Sequence, residues 1–128
     1  MKILEAAHWL LPSLITILGL AAMLKLARNH VDEKPFTAAE RRLVNAFAGL
    51  MDLQGAIGLI YFFWSGLARD GFPAYRMFHA IAMFVAILIP HISLQWREDE
   101  ESSLNLHYFY TLLATFLVVI VGFSLIPS

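Results

Sequence analysis

Apolar residues gather in four long runs, at about 6–27, 43–67, 75–96 and 105–126, with short polar stretches between them. A helix needs roughly 20 apolar residues to cross a hydrocarbon core about 30 Å thick, and every run reaches that length. In lipid the backbone must satisfy its own polar groups, so runs of this kind are helices. The pattern predicts an all-α transmembrane four-helix bundle. Four helices and three connections account for the sequence, which gives one domain over 1–128 and leaves no room for an extramembrane module. The first run is too long for a signal peptide and has no small-residue cleavage site after it, so it is expected to remain as a helix.

Local chemistry marks the helix ends. Lys25 and Arg28 close helix 1 with side chains long enough to reach the interface. After the polar stretch Asn29 to Pro35, Thr37-Ala38-Ala39-Glu40 has the form of a capping box, which starts helix 2 in water before the membrane. Arg69-Asp70-Gly71-Phe72-Pro73 is a tight turn, because Gly and Pro stop a helix. The acidic stretch from Glu98 to Ser103 leads to helix 4, which stops at Pro127. Trp9, Tyr61, Trp64, Tyr75, Trp96, Tyr108 and Tyr110 lie toward helix ends, as an aromatic belt requires. The connections after helices 1 and 3 share one side and carry Lys25, Arg28, Lys34, Arg41, Arg42 and Arg97 on their flanks, against Lys2, Arg69 and Arg76 opposite. The positive-inside rule then places both termini outside a bacterial cytoplasmic membrane.

Composition narrows the function classes. Of the 128 residues, 59% are hydrophobic and 15% charged, against roughly 25% charged in soluble domains. The absence of cysteine removes disulfide, thiolate and Cys-His zinc chemistry. A formal net charge of -1 gives no reason to expect nucleic acid. There is no phosphate loop, catalytic Ser-His-Asp set or zinc-protease pattern, so an independent hydrolase is not expected. The expected partners are the lipid bilayer and either other membrane subunits or further copies of the chain.

An ionisable side chain at membrane depth costs about 2.5–3.5 kcal/mol on insertion scales, so each one asks for a reason. His8, Asp52, His79, His91 and His107 are the candidates, while His30 lies in a polar loop. At the helical rise, His79 sits about 6 Å below the outer edge with His8 at a similar depth, and these two are placed to meet. His91 lies about 18 Å further down helix 3, near the start of helix 4 and His107, a second level at which two imidazoles are placed to meet. Two such levels have the layout of diheme membrane cytochromes, in which imidazoles from different helices ligate heme b. The helical turn opposes this, since His79 and His91 fall about 120° apart around helix 3. A kink at Pro90 is needed to realign them, so a single heme held by His8 and His79 is the simpler arrangement. Ala82, Met83, Ala86 and Pro90 share the face of His79, where small residues admit either a flat macrocycle or a closely packed helix.

Asp52 falls near the middle of the membrane part of helix 2. Gly49, Gly55 and Ala56 flank it as a groove, Asn45 lies two turns below, and Gln54 points almost oppositely. Such a carboxyl suits a proton relay, a partner for a histidine N–H, a polar contact to a quinone, or a protonated acid bonded across the bundle.

Pro35-Phe36-Thr37, Glu40-Arg41-Arg42-Leu43, Asp52-Leu53-Gln54 and Gly58-Leu59-Ile60-Tyr61-Phe62, with His8-Trp9, His79, Met83, His91 and Ile126-Pro127, run along nearly the whole chain. This set resembles a group of small bacterial four-helix membrane proteins often labelled b-type cytochromes. The resemblance implies His8 and His79 as heme ligands, with His91 a further possibility. Some members of that group carry histidine at the position of Asp52 and others aspartate, which implies a hydrogen-bonding role common to both. The leading expectation is therefore a b-type cytochrome-like electron-transfer protein, with quinone as a possible redox partner. A rival is a cofactor-free accessory subunit of a larger respiratory or photosynthetic complex, whose histidines bond locally. A third reading is a proton or small-solute transporter centred on Asp52.

Overall fold

The structure is a computed structural model that describes residues 2–93 and 101–127. Its elements are α1 (Lys2–Val31), α2 (Ala38–Ser65), a π-helical turn (Gly66–Asp70), α3 (Ala74–Ser93) and α4 (Glu101–Ser124). Among the described residues, four helices are long and apolar enough to cross a membrane. Contacts run α1 to α2, α2 to α3, α3 to α4 and α4 back to α1. The chain is thus an up-and-down four-helix membrane bundle, in which sequential helices are neighbours because the connections are short.

Helix ends extend past the apolar runs because the interfacial turns are helical too. α1 begins at Lys2 and reaches Val31. α4 begins at Glu101, a turn earlier than the sequence pattern suggested. The expected end of helix 3 at Trp96, together with Arg97 and the acidic residues Glu98 to Glu100, lies outside the described residues. At the start of α2 the capping box is formed: Ala39 N–H donates to Thr37 Oγ1 at 3.3 Å and the Thr37 N–H donates to Glu40 Oε2 at 2.8 Å. The turn after α2 differs from a simple stop. The helix widens into a π turn before Gly71 reverses the chain at φ +65°, the left-handed region that suits glycine. Arg76 holds this turn by donating to the Gly71 carbonyl at 3.0 Å and to the Phe62 carbonyl at 3.4 Å.

The core is unevenly distributed. Ile15, Ala22 and Leu26 of α1, Val44, Phe47 and Met51 of α2 and Leu104, Tyr108 and Leu112 of α4 are buried, whereas α3 adds Ala86, with Ile87 partly buried against the cluster. Gly19 of α1 makes this possible, since a Cβ there would lie 2.4 Å from Phe116 and 2.8 Å from Phe47. Leucine, isoleucine and phenylalanine residues on every helix remain exposed, including Leu14, Ile60, Phe84 and Ile120. Lipid is as apolar as leucine, so polar contacts and close packing must carry the helix association that water drives in soluble bundles.

One such polar contact ties three segments at the end carrying the α1–α2 connection. Asn29 of α1 donates to Glu40 Oε1 at 2.8 Å and to Asn105 Oδ1 of α4 at 3.4 Å. Asn105 in turn donates to the Lys34 carbonyl at 2.9 Å, and Lys25 Nζ lies 3.4 Å from Glu40. The buried asparagines and Glu40 are therefore satisfied by one another, as a dry interior demands.

Candidate functional site

The intramembrane histidines were expected to converge in pairs. Instead, each one bridges two helices through a defined hydrogen bond. His8 and Gln54 join α1 to α2. Gln54 Nε2 lies 3.0 Å from the His8 carbonyl and 3.1 Å from His8 Nδ1. The reason lies in Pro12, which sits four residues after His8 inside α1. A proline has no N–H to give to the carbonyl one turn back. Gln54 supplies that donor from the neighbouring helix, a repair that membrane helices require when proline opens the ladder. His8 also packs against Gly58, where a Cβ would come within 2.9 Å of the imidazole, and against Tyr61, which stacks at 5.8 Å.

This bond fixes the tautomer of His8. A carbonyl accepts only, so the Gln54 atom facing it is the amide nitrogen. The same nitrogen donates to Nδ1, and the His8 proton therefore resides on Nε2. An axial heme ligand needs the opposite arrangement, with Nε2 unprotonated and Nδ1–H donating outward. Inverting His8 would set its Nδ1–H against the Gln54 N–H.

His79 has the ligand-type tautomer. Its Nδ1 lies 2.8 Å from the Gly122 carbonyl of α4, so Nδ1–H donates and Nε2 keeps its lone pair. His79 lies within electrostatic reach of His8. The two bond to different helices, His8 to Gln54 of α2 and His79 to Gly122 of α4. A heme held by both imidazoles through Nε2 would require the His8 proton to move to Nδ1 and its contact with Gln54 to be given up.

The inner pair separates. His91 Nε2 lies 2.8 Å from Asp52 Oδ1 and 3.0 Å from Oδ2, so its N–H donates across from α3 to the α2 carboxylate. His107 instead donates from Nε2 to Ser93 Oγ at 2.8 Å. Ser93 Oγ also pairs with Thr111 Oγ1, which donates to the His107 carbonyl at 3.0 Å and so closes a cycle between α3 and α4. Beside it lies a groove of about 330 Å³ open to the side of the bundle. His79 turns to α4 and His91 to α2, as their angular offset around helix 3 requires, and α3 continues as helix through Pro90 to Ser93. Among the described residues, no three His, Asp or Glu side chains gather in a way that could hold a metal ion.

Asp52 is the unusual member. Its side chain is 46% exposed and that of His91 is 47% exposed, on the outer surface of the bundle where α2 meets α3. Leu53, Leu88 and Ile92 around the pair are exposed too. At the helical rise, Asp52 lies about 15 Å from Arg42 and about 25 Å from Arg69. Those two arginines are about 40 Å apart, the thickness of a bilayer with its headgroups. Along the span between those two arginines, the pair lies nearer the side of the α1–α2 connection. Of the groove residues, Gly49 and Ala56 are open to the outside with Asn45, whereas Gly55 is taken up by packing, with Ile87 2.3 Å from where its Cβ would stand.

Fold and site together define a class: a four-helix membrane bundle in which His8, His79, His91 and His107 each bond to a neighbouring helix and in which, among the described residues, the Asp52 carboxylate faces outward beside His91. No protein-family model, curated protein or solved structure matches the chain. The residue that sequence reasoning missed is Pro12. Its signal was present, a proline one helical turn after a histidine within an apolar run.

Proposed function

We propose that this chain is an accessory subunit of a membrane assembly, lying in a bacterial cytoplasmic membrane with both termini outside and binding protein laterally through the α2–α3 face. The observation that carries this reading is the Asp52–His91 pair, nearly half exposed at hydrocarbon depth. An ionisable group facing lipid is costly, and such groups face a bundle interior, a water-filled cavity or a protein partner. Here the pair stands on the outside of the bundle rather than toward its interior, so a protein surface is the cover that chemistry favours. The same placement argues against a transport path centred on Asp52, because the carboxylate sits outside the bundle. The tautomer of His8 argues against an electron carrier with a bis-histidine heme.

The test is native electrophoresis of the tagged chain after extraction in mild detergent. The wild type is expected to migrate in an assembly, and replacing both members of the pair, Asp52→Leu with His91→Leu, is expected to release it as a monomer that keeps its helical content. A wild-type chain that migrates alone, unchanged by the double replacement, would defeat the reading.

A further inference from the structure

The Asp52–His91 pair has a handedness that identifies its cover. The carboxylate stands on α2 and the imidazole beside it on α3, so across the face the pair is a dipole. We infer that the occupant of this face is a second copy of this chain, related by a twofold axis along the bilayer normal, an inference that rests on the lateral-binding reading above. Such an axis keeps both copies in the same membrane orientation and every residue at its own depth. It also exchanges left and right across the face, which sets each Asp52 opposite the partner's His91.

The donor count then closes. An imidazole has two ring nitrogens that can bond, and its own Asp52 takes only Nε2. The partner's Asp52 takes the other. Two Asp52 and two His91 side chains form a ring in which each carboxyl group bonds to an imidazole from both copies. An unrelated protein would have to bring a complementary pair at this depth, whereas a second copy brings it by symmetry.

The surrounding surface allows the approach. Gly49 and Ala56 stand one turn to either side of Asp52 on the same face of α2, and apart from its chain neighbours and the surrounding helix backbone nothing lies within 4 Å of where a Gly49 Cβ would be. On α3, Leu88 and Ile92 project beside His91 with 38% and 49% exposure. The α2 surface is shallow where the α3 surface is raised, so α2 of one copy receives α3 of the other, the small-against-large packing by which membrane helices associate.

The chain contains no cysteine, so introduced thiols report without background. Two differently tagged copies are co-expressed, one carrying Ala56→Cys and the other Leu88→Cys, and native membranes are oxidised. A cross-linked species carrying both tags is expected, and Leu20→Cys on the exposed face of α1, paired with Leu88→Cys, is expected to give none. Adding Asp52→Leu to both copies should abolish the cross-link. The exchange Asp52→His with His91→Asp, which preserves the ring, should keep it, and that separates loss of the ring from loss of folding. If Ala56→Cys links only to a protein other than this chain, the second-copy inference is overturned while the lateral-binding reading stands. If it links to no protein at all, both fall.

Discussion

Replacing Gln54 with leucine in two backgrounds tests the repair of α1 directly. In the wild type, Gln54 Nε2 serves the His8 carbonyl at 3.0 Å and the His8 ring at 3.1 Å. Side-chain hydrogen bonds between membrane helices average about 0.6 kcal/mol each, so losing both removes roughly 1.2 kcal/mol. The carbonyl orphaned by Pro12 is then left without a donor, which adds about 1–3 kcal/mol. Gln54→Leu in the wild type should therefore destabilise by roughly 2–4 kcal/mol. In a Pro12→Ala background the helix supplies its own N–H to His8, and the same replacement should cost about 1 kcal/mol or less. The readout is reversible unfolding of the bundle in bicelles by SDS titration, followed by circular dichroism, for all four members of the cycle. A coupling energy near 1–3 kcal/mol is expected. Costs that add to within about 0.5 kcal/mol would mean that Pro12 and Gln54 act independently, and the account of the His8 site would be refuted.

Glu40→Gln is expected to behave as a disruptive change rather than a conservative one. Both carboxylate oxygens accept, one from Asn29 and one from the Thr37 N–H, so either orientation of the amide sets a donor against a donor and costs about 1–3 kcal/mol; an unchanged unfolding midpoint would contradict this. Gly19→Ala should destabilise by about 1–3 kcal/mol through overpacking against Phe116 and Phe47, measured by the same titration, and a neutral result would deny the close approach of α1. Nitrogen-15 NMR of the labelled imidazoles should show the Nε2–H tautomer at His8 and the Nδ1–H tautomer at His79; the reverse assignment at His8 would remove the objection to heme. Hemin added to the purified chain and reduced with dithionite should give no b-type α band, and a band that disappears in both His8→Ala and His79→Ala would overturn the cofactor argument.

The sequence by itself determined the four crossings, the capping box at Thr37 and Glu40 and the presence of ionisable groups at membrane depth. These depend on composition and on residues three or four apart, so no tertiary knowledge is needed to read them. It also determined that His79 and His91 face different ways, because helical pitch fixes that angle. The tertiary structure decided the partners. Asp52 meets His91 and Gln54 meets His8 only because neighbouring helices take a particular rotation and axial offset, and a linear sequence states neither. His107 turned to Ser93 for the same reason, since a serine on α3 stood at its level and His91 was already engaged with α2. The outward placement of the Asp52–His91 pair was the least legible feature. Exposure depends on which faces of four helices are left over after packing, and in lipid those faces are as apolar as the core itself.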